Sequence, residues 1–185
     1  KQRLYDFYRQ SDCKVKLYDF SFSKEDDGNA KRVLREFSIE DLLFREAIQF
    51  DQNEVMPAYR GKAILVTGGG GSIGSELCRQ LAKLEPARLV VFDIYENNAY
   101  DIEQELIRKY GDRLNLSIEI GSVRDEDRLR EVFETYHPQI VFHAAAHKHV
   151  PLMEHSCGEA IKNNVFGTLN IANIAEEYGV ERFLL

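Results

Sequence analysis

From residue 61 onward, two apolar patterns alternate along the chain. Short runs of consecutive apolar residues at Ala63–Thr67, Arg88–Asp93, Leu114–Ile120 and Gln139–His143 predict strands covered on both faces. Between them, apolar residues recur at helical spacing. Ile73, Leu77, Leu81 and Leu84 mark Gly71–Leu84, and Ile102, Leu106 and Tyr110 mark Glu96–Tyr110, where Gly111 stands as a left-handed cap. Asp125–Tyr136 predicts a helix with acidic residues at its positive end, and Cys157–Tyr178 a long helix closed by Gly179. Arg182–Leu185 begins a fifth strand. This alternation predicts an α/β domain, a parallel sheet with helices on both faces.

Residues 1–60 show no clean period. Val15–Phe20 and Arg32–Phe37 read as short strands, Lys24–Ala30 as a polar loop, and Ser38–Phe44 as a capped helical turn. So few elements can hardly bury a core alone. Residues 1–60 are therefore expected to be the end of an upstream domain plus a linker, and residues 61–185 the first part of a sheet domain. Lys1 in place of Met, and an apolar strand left unfinished at Leu185, give the expectation that the chain is a piece of a longer protein.

Charge and cysteine usage narrow the partners. The 185 residues carry 24 Lys plus Arg against 31 Asp plus Glu, a net charge of −7. Residues 1–60 hold 11 basic and 12 acidic groups, leaving 13 and 19 for residues 61–185. An acidic excess argues against a nucleic-acid partner, but backbone amides can still bind a small anion. Cys13, Cys78 and Cys157 are too few and too scattered for a disulfide framework or zinc knuckle, and fit a reducing cytoplasm. No apolar run approaches the ~20 residues of a membrane-crossing helix.

Thr67-Gly68-Gly69-Gly70-Gly71-Ser72-Ile73-Gly74 joins the first strand to the first helix. It fits Gly69-x-Gly71-x-x-Gly74 and also Thr67-Gly68-x-x-Gly71-x-x-Gly74. Both are dinucleotide-binding spacings of Rossmann-like folds, in which glycines let backbone approach a pyrophosphate at a helix N-terminus. Ser75-Glu76 stands where a P-loop needs Lys-Ser/Thr. Asp93 ends the second strand 19 positions after Gly74, where a carboxylate accepts from ribose hydroxyls and repels a 2′-phosphate. It favours NAD over NADP, and its alternative role is a helix N-cap. Gly121–Asp125 follows the third strand, where Val123 can meet an adenine and Asp125 can cap the next helix.

The fourth strand runs into His143-Ala144-Ala145-Ala146-His147-Lys148-His149. Three histidines suggest metal, but no HExxH or cysteine pair accompanies them, and His143 belongs to a strand. Ala144, Ala145 and Ala146 suit a floor for a nicotinamide ribose, with His147, Lys148 and His149 facing either the site mouth or solvent. Asn163 and Asn164 lie in the long helix, where one can hold backbone near the site or both can simply be exposed. None of the nine tyrosines, and neither methionine, has Lys four positions later, so the Tyr–Lys proton-donor pair of hydride-transfer enzymes is not in this stretch.

Thr67–Gly74, the run His143–Glu154 (HAAAHKHVPLME) and Asn163-Asn164-Val165-Phe166-Gly167-Thr168 resemble the CapD-like polysaccharide biosynthesis proteins. These are nucleotide-sugar 4,6-dehydratases of the extended short-chain dehydrogenase superfamily, typically acting on UDP-N-acetylglucosamine. The resemblance covers roughly residues 32–185. Ile39–Arg45 is similar to the family's linker, with Phe44 for a more usual Gly and Ala47 for a more usual Pro. It implies oxidation of a UDP-sugar at C4 by bound NAD(P), loss of water across C5–C6, and hydride return to C6. It also implies cofactor binding by Gly68, Gly71, Ser72, Ile73 and Gly74 at the pyrophosphate, and by Asp93 at the ribose. Val123 would meet the adenine, and Ala144–Ala146 with Lys148 the nicotinamide side. Ser122 departs from a commoner Asp. Longer members are membrane-anchored at the cytoplasmic face, and a homo-oligomer is expected. In the family the catalytic groups follow strand five, so this stretch alone is expected to be inactive. Two alternatives stay open: a nucleotide-sugar epimerase, against which the Lys148–Pro151 run argues, and a non-catalytic dinucleotide-binding module.

Overall fold

The computed structural model describes Lys16–Asp19, Val33–Glu36 and residues 52–185. The chain divides into two compact units, Lys1–Gln49 and Phe50–Leu185. In the first, β1 (Lys16–Asp19) and β2 (Val33–Glu36) pair antiparallel, with Lys16 opposite Glu36 and Asp19 opposite Val33. Both expected strands are present. The expected polar loop at Lys24–Ala30 and helical turn at Ser38–Phe44 lie outside the described residues.

The second unit starts with α1 (Gln52–Tyr59). Val55, Met56 and Tyr59 pack on the sheet's core, and Tyr59 stacks on Phe142 with ring centroids 6.0 Å apart. That packing places the division at Gln49/Phe50 rather than at the 60/61 boundary expected from composition. There follow β3 (Ala63–Thr67), α2 (Ser72–Leu81), β4 (Arg88–Asp93), α3 (Glu96–Tyr110), β5 (Leu116–Ile120), α4 (Glu126–Tyr136) and β6 (Ile140–His143). After β6 come α5 (Val150–His155), α6 (Cys157–Ala160), a π-helical segment (Ile161–Gly167), α7 (Thr168–Glu177) and β7 (Arg182–Leu184).

The sheet order is β5-β4-β3-β6-β7, all parallel. The chain winds outward from β3 in one direction, then returns and winds outward from β6 in the other. A crevice opens at such a reversal, beyond the carboxyl ends of the two central strands, and here Thr67 and His143 are register partners at its floor.

Strand alternation sends successive residues to opposite faces, and helices cover both. Ile64, Val66, Leu89 and Val91 meet Cys78 and Leu81 of α2 and Ile102 and Leu106 of α3. Leu65, Val90, Phe92 and Val141 meet Leu129, Val132 and Phe133 of α4 and Ile171 and Ile174 of α7. Asp125 caps α4 as expected, its carboxylate accepting from the Arg128 N–H at 3.1 Å. Among the described residues no helix is long and apolar enough to cross a membrane.

Three expectations shift. In α2, Ile73 is 66% exposed and Cys78 takes the buried place. Burial in apolar surroundings pushes the Cys78 thiol up to about 12, so it behaves as a small hydrophobe. Gly111 has φ 52° but ψ −138°, so α3 ends in a short 3₁₀ turn (Gly111–Arg113), not a left-handed cap.

The third change lies in the expected Cys157–Tyr178 helix, which forms over Cys157–Glu177 but takes π register over Ile161–Gly167. Pro151 supports an extra helix start, Ser156 leaves helical geometry (φ −134°, ψ 44°), and the chain then widens to π register through Gly167. A side chain at Gly167 would lie 2.6 Å from Val123 Cγ2, so α7 lies flush on the loop after β5.

Phe133 is fully buried and packs its ring against Tyr178 at 5.6 Å. Phe133→Ala is expected to cost about 3–5 kcal/mol, seen as a lower urea midpoint at unchanged slope.

Candidate functional site

Backbone proximity builds the crevice. Gly68 has φ 68°, and a Cβ there would sit 2.6 Å from the Ala144 carbonyl oxygen. A Cβ at Gly74 would sit 2.0 Å from the Gly68 oxygen. Only hydrogen fits at both places, so α2 begins directly against the loop and the loop directly against the segment after β6. Gly71, the N-cap of α2, has no side chain to cap with, and the Ser72, Ile73 and Gly74 N–H groups find no protein acceptor among the described residues. Three unpaired donors at the positive end of a helix dipole form an anion-binding surface.

Asp93 buttresses this loop. One carboxylate oxygen accepts from the Gly70 N–H and the other from the Tyr95 N–H, each at 2.8 Å. The carboxylate is 8% exposed, and an ionised carboxylate keeps lone pairs for further donors. Tyr95 is the N-cap position of α3, so Asp93 braces the turn before the helix without being its cap.

A cavity of about 700 Å³ occupies the crevice. Gly71, Ser72 and Ile73 form one wall; Ala144, Ala145, Ala146 and Lys148 form the facing one. Asn164 and Thr168 close it from the π segment and α7. Among the described residues Lys148 is its one ordinarily charged lining side chain, and no acidic side chain lines it. A second groove of about 350 Å³ runs past Gly70, Ser75, Arg79, Asn98, Asp101 and Glu105, and Lys148 borders it too. There Arg79 is tied to Glu105 by two hydrogen bonds (2.7 and 2.9 Å), which hold the Glu105 carboxyl below its usual range.

The structure thus brings Gly71, Ser72 and Ile73 to Ala144–Ala146 and Lys148. Gly68 and Gly74 shape the loop from behind and do not line the larger cavity, and Asp93 lies under the loop. Val123 is a core residue, 3% exposed, packed against Gly167. His147 and His149 are exposed, and among the described residues no group of three His, Cys, Asp or Glu is placed to hold a metal.

One arrangement has no sequence signature. His143 is buried, with Nδ1 2.6 Å from Thr67 Oγ1 and Nε2 2.9 Å from Thr168 Oγ1. Thr168 donates its own hydroxyl to the Asn164 carbonyl at 2.8 Å, so it accepts from His143 Nε2–H, and Nδ1 accepts from Thr67. This assigns a neutral imidazole, and burial lowers its pKa from the ordinary 6.5. Asn164, noted in the sequence as able to hold nearby backbone, does so. Its Oδ1 accepts from the His147 N–H and its Nδ2 donates to the His147 carbonyl, both at 2.8 Å.

A depressed histidine pKa means the unfolded chain takes up the proton first as pH falls. Stability from the neutral His143 is therefore complete above pH 6.5 and declines as pH falls from there toward the lower folded-state value. Thermal midpoints between pH 8 and 5 should show this decline, and His143→Gln should remove that component of it.

The comparisons with known proteins fit this geometry. The family described as "Polysaccharide biosynthesis protein" matches residues 64–185. Over 152 residues the chain is 43% identical to the probable polysaccharide biosynthesis protein EpsC of Bacillus subtilis (strain 168), covering 82% of this chain and 25% of that protein. The capsular polysaccharide biosynthesis protein CapD of Staphylococcus aureus is 44% identical over the same shares. A UDP-N-acetylglucosamine 4,6-dehydratase (inverting) of Campylobacter jejuni is 31% identical, over 67% of this chain and 35% of that one. Among solved structures, the epimerase Mth375 of Methanothermobacter thermautotrophicus superposes with TM-score 0.58 at 30% identity, over 71% of this chain and 37% of that one. The Bordetella bronchiseptica enzyme WbmG, in complex with NAD and UDP, gives TM-score 0.56 at 28% identity, over 69% and 38%. The chain spans about a quarter of the length of EpsC and CapD. With the family match running from β3 to the last residue, the chain belongs to the polysaccharide biosynthesis protein family.

Proposed function

We propose that this chain carries the cofactor-binding part of a nucleotide-sugar 4,6-dehydratase, with residues 1–49 leading from an upstream domain and 50–185 opening the dinucleotide-binding domain. The observation that carries the reading is the cavity between three unpaired helix-start N–H groups and a wall of three alanines. The first suits a pyrophosphate; the second suits a flat ring and its ribose. The glycine cradle at Gly68 and Gly74, which a Cβ would fill, supports the same fit.

Ser72, Ile73 and Gly74 would hold the pyrophosphate through backbone. Asp93 would accept from the adenosine ribose, Val123 lie near the adenine, and Ala144–Ala146 flank the nicotinamide ribose, with Lys148 supplying positive charge. When bound, the nicotinamide supplies a hydride acceptor at sugar C4 and a hydride donor at C6, on either side of water loss across C5–C6. Asp93, together with Asp101 in the second groove, disfavours a 2′-phosphate and so favours NAD over NADP. The similarity to a UDP-N-acetylglucosamine 4,6-dehydratase supports a UDP-sugar substrate.

An epimerase is the second reading, favoured by the likeness to Mth375. Mass spectrometry of the full-length protein incubated with UDP-N-acetylglucosamine separates them. The dehydratase yields a product lighter by one water, whereas an epimerase yields an isomer of unchanged mass.

For the cofactor, thermal denaturation with NAD or NADP at about 100 times the dissociation constant should add about 2.7 kcal/mol to stability. NAD is expected to raise the midpoint and NADP to leave it nearly unchanged. Equal shifts would remove the discriminating role of Asp93, and no shift with either would remove the dinucleotide reading.

A further inference from the structure

We infer that Glu105 is a positioning residue for cofactor choice: it holds the Arg79 guanidinium in a closed ion pair and so keeps it from a phosphate on the adenosine ribose. The inference rests on the dinucleotide reading and adds a second determinant to Asp93, on the helix that follows it.

The groove between α2 and α3 starts beside the proposed ribose acceptor. Asp93 accepts from the Gly70 N–H at 2.8 Å, and Gly70 lines that groove. Gly70 also abuts the first turn of α3, where a Cβ on it would lie 2.8 Å from Asn98 Cβ. A 2′-phosphate on a ribose held at Asp93 would thus stand at the mouth of the groove. Among the described residues two cations line it, Lys148 and Arg79. Lys148 comes from the loop after β6 and is shared with the larger cavity. Arg79 comes from α2, on the side that α3 can reach.

Glu105 of α3 does reach it. Arg79 Nε donates to Glu105 Oε1 at 2.7 Å, and Nη2 donates to Oε2 at 2.9 Å. These parallel bonds occupy the edge of the guanidinium that grips phosphate elsewhere, because carboxylate and phosphate fit the same planar fork. Nη1 turns to Ser75 Oγ and Glu76 Oε2, each at 3.3 Å. Ser75 lies in the first turn of α2 and lines the same groove, so the guanidinium is already held next to the helix start. Glu76 is the weaker tether. It is exposed, offers one long bond, and its other oxygen accepts from Gln80 at 2.6 Å. With Glu105 in place the groove presents Arg79 neutralised, and Asp101, one turn before Glu105, adds a further carboxylate. A phosphate entering there meets negative charge and a closed fork, whereas a free 2′-hydroxyl needs neither cation.

Removing Glu105 opens the fork without disturbing the helices. The pair is half-buried at the surface, and such pairs add little stability. α2 and α3 are held independently by Cys78, Leu81, Ile102 and Leu106 in the core below.

The test titrates the full-length protein, freed of bound nucleotide, with NAD and with NADP by calorimetry. Wild type is expected to prefer NAD. Glu105→Ala should bind NADP about tenfold more tightly than wild type, the scale of one charge-assisted hydrogen bond, and NAD within about twofold. Glu105→Gln, which removes the charge and leaves one acceptor, should move NADP the same way to a smaller extent, and it serves where Glu105→Ala fails to fold. Arg79→Met combined with Glu105→Ala should return NADP affinity to the wild-type level. A gain that survives loss of Arg79 would come from charge removal alone and would overturn the positioning role. NADP bound no more tightly by the Glu105 variants than by wild type would overturn it as well, as would a wild type that binds both dinucleotides equally. If the wild type binds neither, the dinucleotide reading itself falls and takes the role of Glu105 with it.

Discussion

The site depends on a backbone contact that leaves no room for side chains. A Cβ at Gly74 would lie 2.0 Å from the Gly68 oxygen, and one at Gly68 would lie 2.6 Å from the Ala144 oxygen. These two contacts stack the start of α2, the loop after β3 and the segment after β6 in direct succession. Any side chain at either position would push α2 away from the crevice and separate the unpaired N–H groups from the alanine wall. Sheet topology puts the carboxyl ends of β3 and β6 side by side, but the glycines bring their loops within reach of one ligand.

Buried polar side chains at this junction are fully used. Among the described residues no buried side-chain nitrogen or oxygen lacks a hydrogen-bond partner, although Thr67, Asp93, His143 and Asn163 are all buried. Asp93 and Asn163 tie a strand end and a helix to loops beside the cavity, while Thr67 and His143 tie the ends of β3 and β6 to each other and to α7. Burying such groups without partners would be costly, so the paired arrangement favours a single geometry over its alternatives. Burial keeps His143 neutral, and the neutral ring can accept from Thr67 while donating to Thr168; a protonated ring could not accept.

Features with a local cause were legible in the sequence. Apolar runs and helical spacing marked β3–β7 and α2–α4 because burial on two faces imposes those patterns directly. The glycine loop was legible because close backbone approach dictates residue type. What stayed hidden depends on contacts between distant segments. The Asp93–Gly70 bond joins the end of β4 to the loop after β3, and the His143–Thr168–Asn164 line joins a strand to a helix. The long helix was legible as a helix, but its π register over Ile161–Gly167 was not, for this reason. Its spacing from Cys157 to Tyr178 is consistent with a regular helix, while the turn around Asn163 and Asn164 widens toward a loop that periodicity does not register. Ile73 likewise has helical spacing without burial, because its neighbour in space is the cavity.

A chain with net charge −7 is an unlikely host for a pyrophosphate if charge is counted globally. Fields between exposed groups fade over about 8 Å at physiological salt, so the local arrangement decides. Many of the acidic groups are matched where they stand: Glu105 and Glu76 by Arg79, Glu119 and Glu131 by Arg128, Glu177 by Arg130, and Glu181 by Lys62. Exposed pairs of this kind add little stability, but they cancel the field of the carboxylates. Asp93 has its charge spread over two backbone donors. The larger cavity, in contrast, has no acidic side chain on its walls among the described residues and combines a helix start with Lys148. Lys148 also borders the second groove, which Arg79, Asp101 and Glu105 line as well, so one cation is shared by the two chambers. An anionic ligand spanning both would meet its nearest side-chain cation at Lys148.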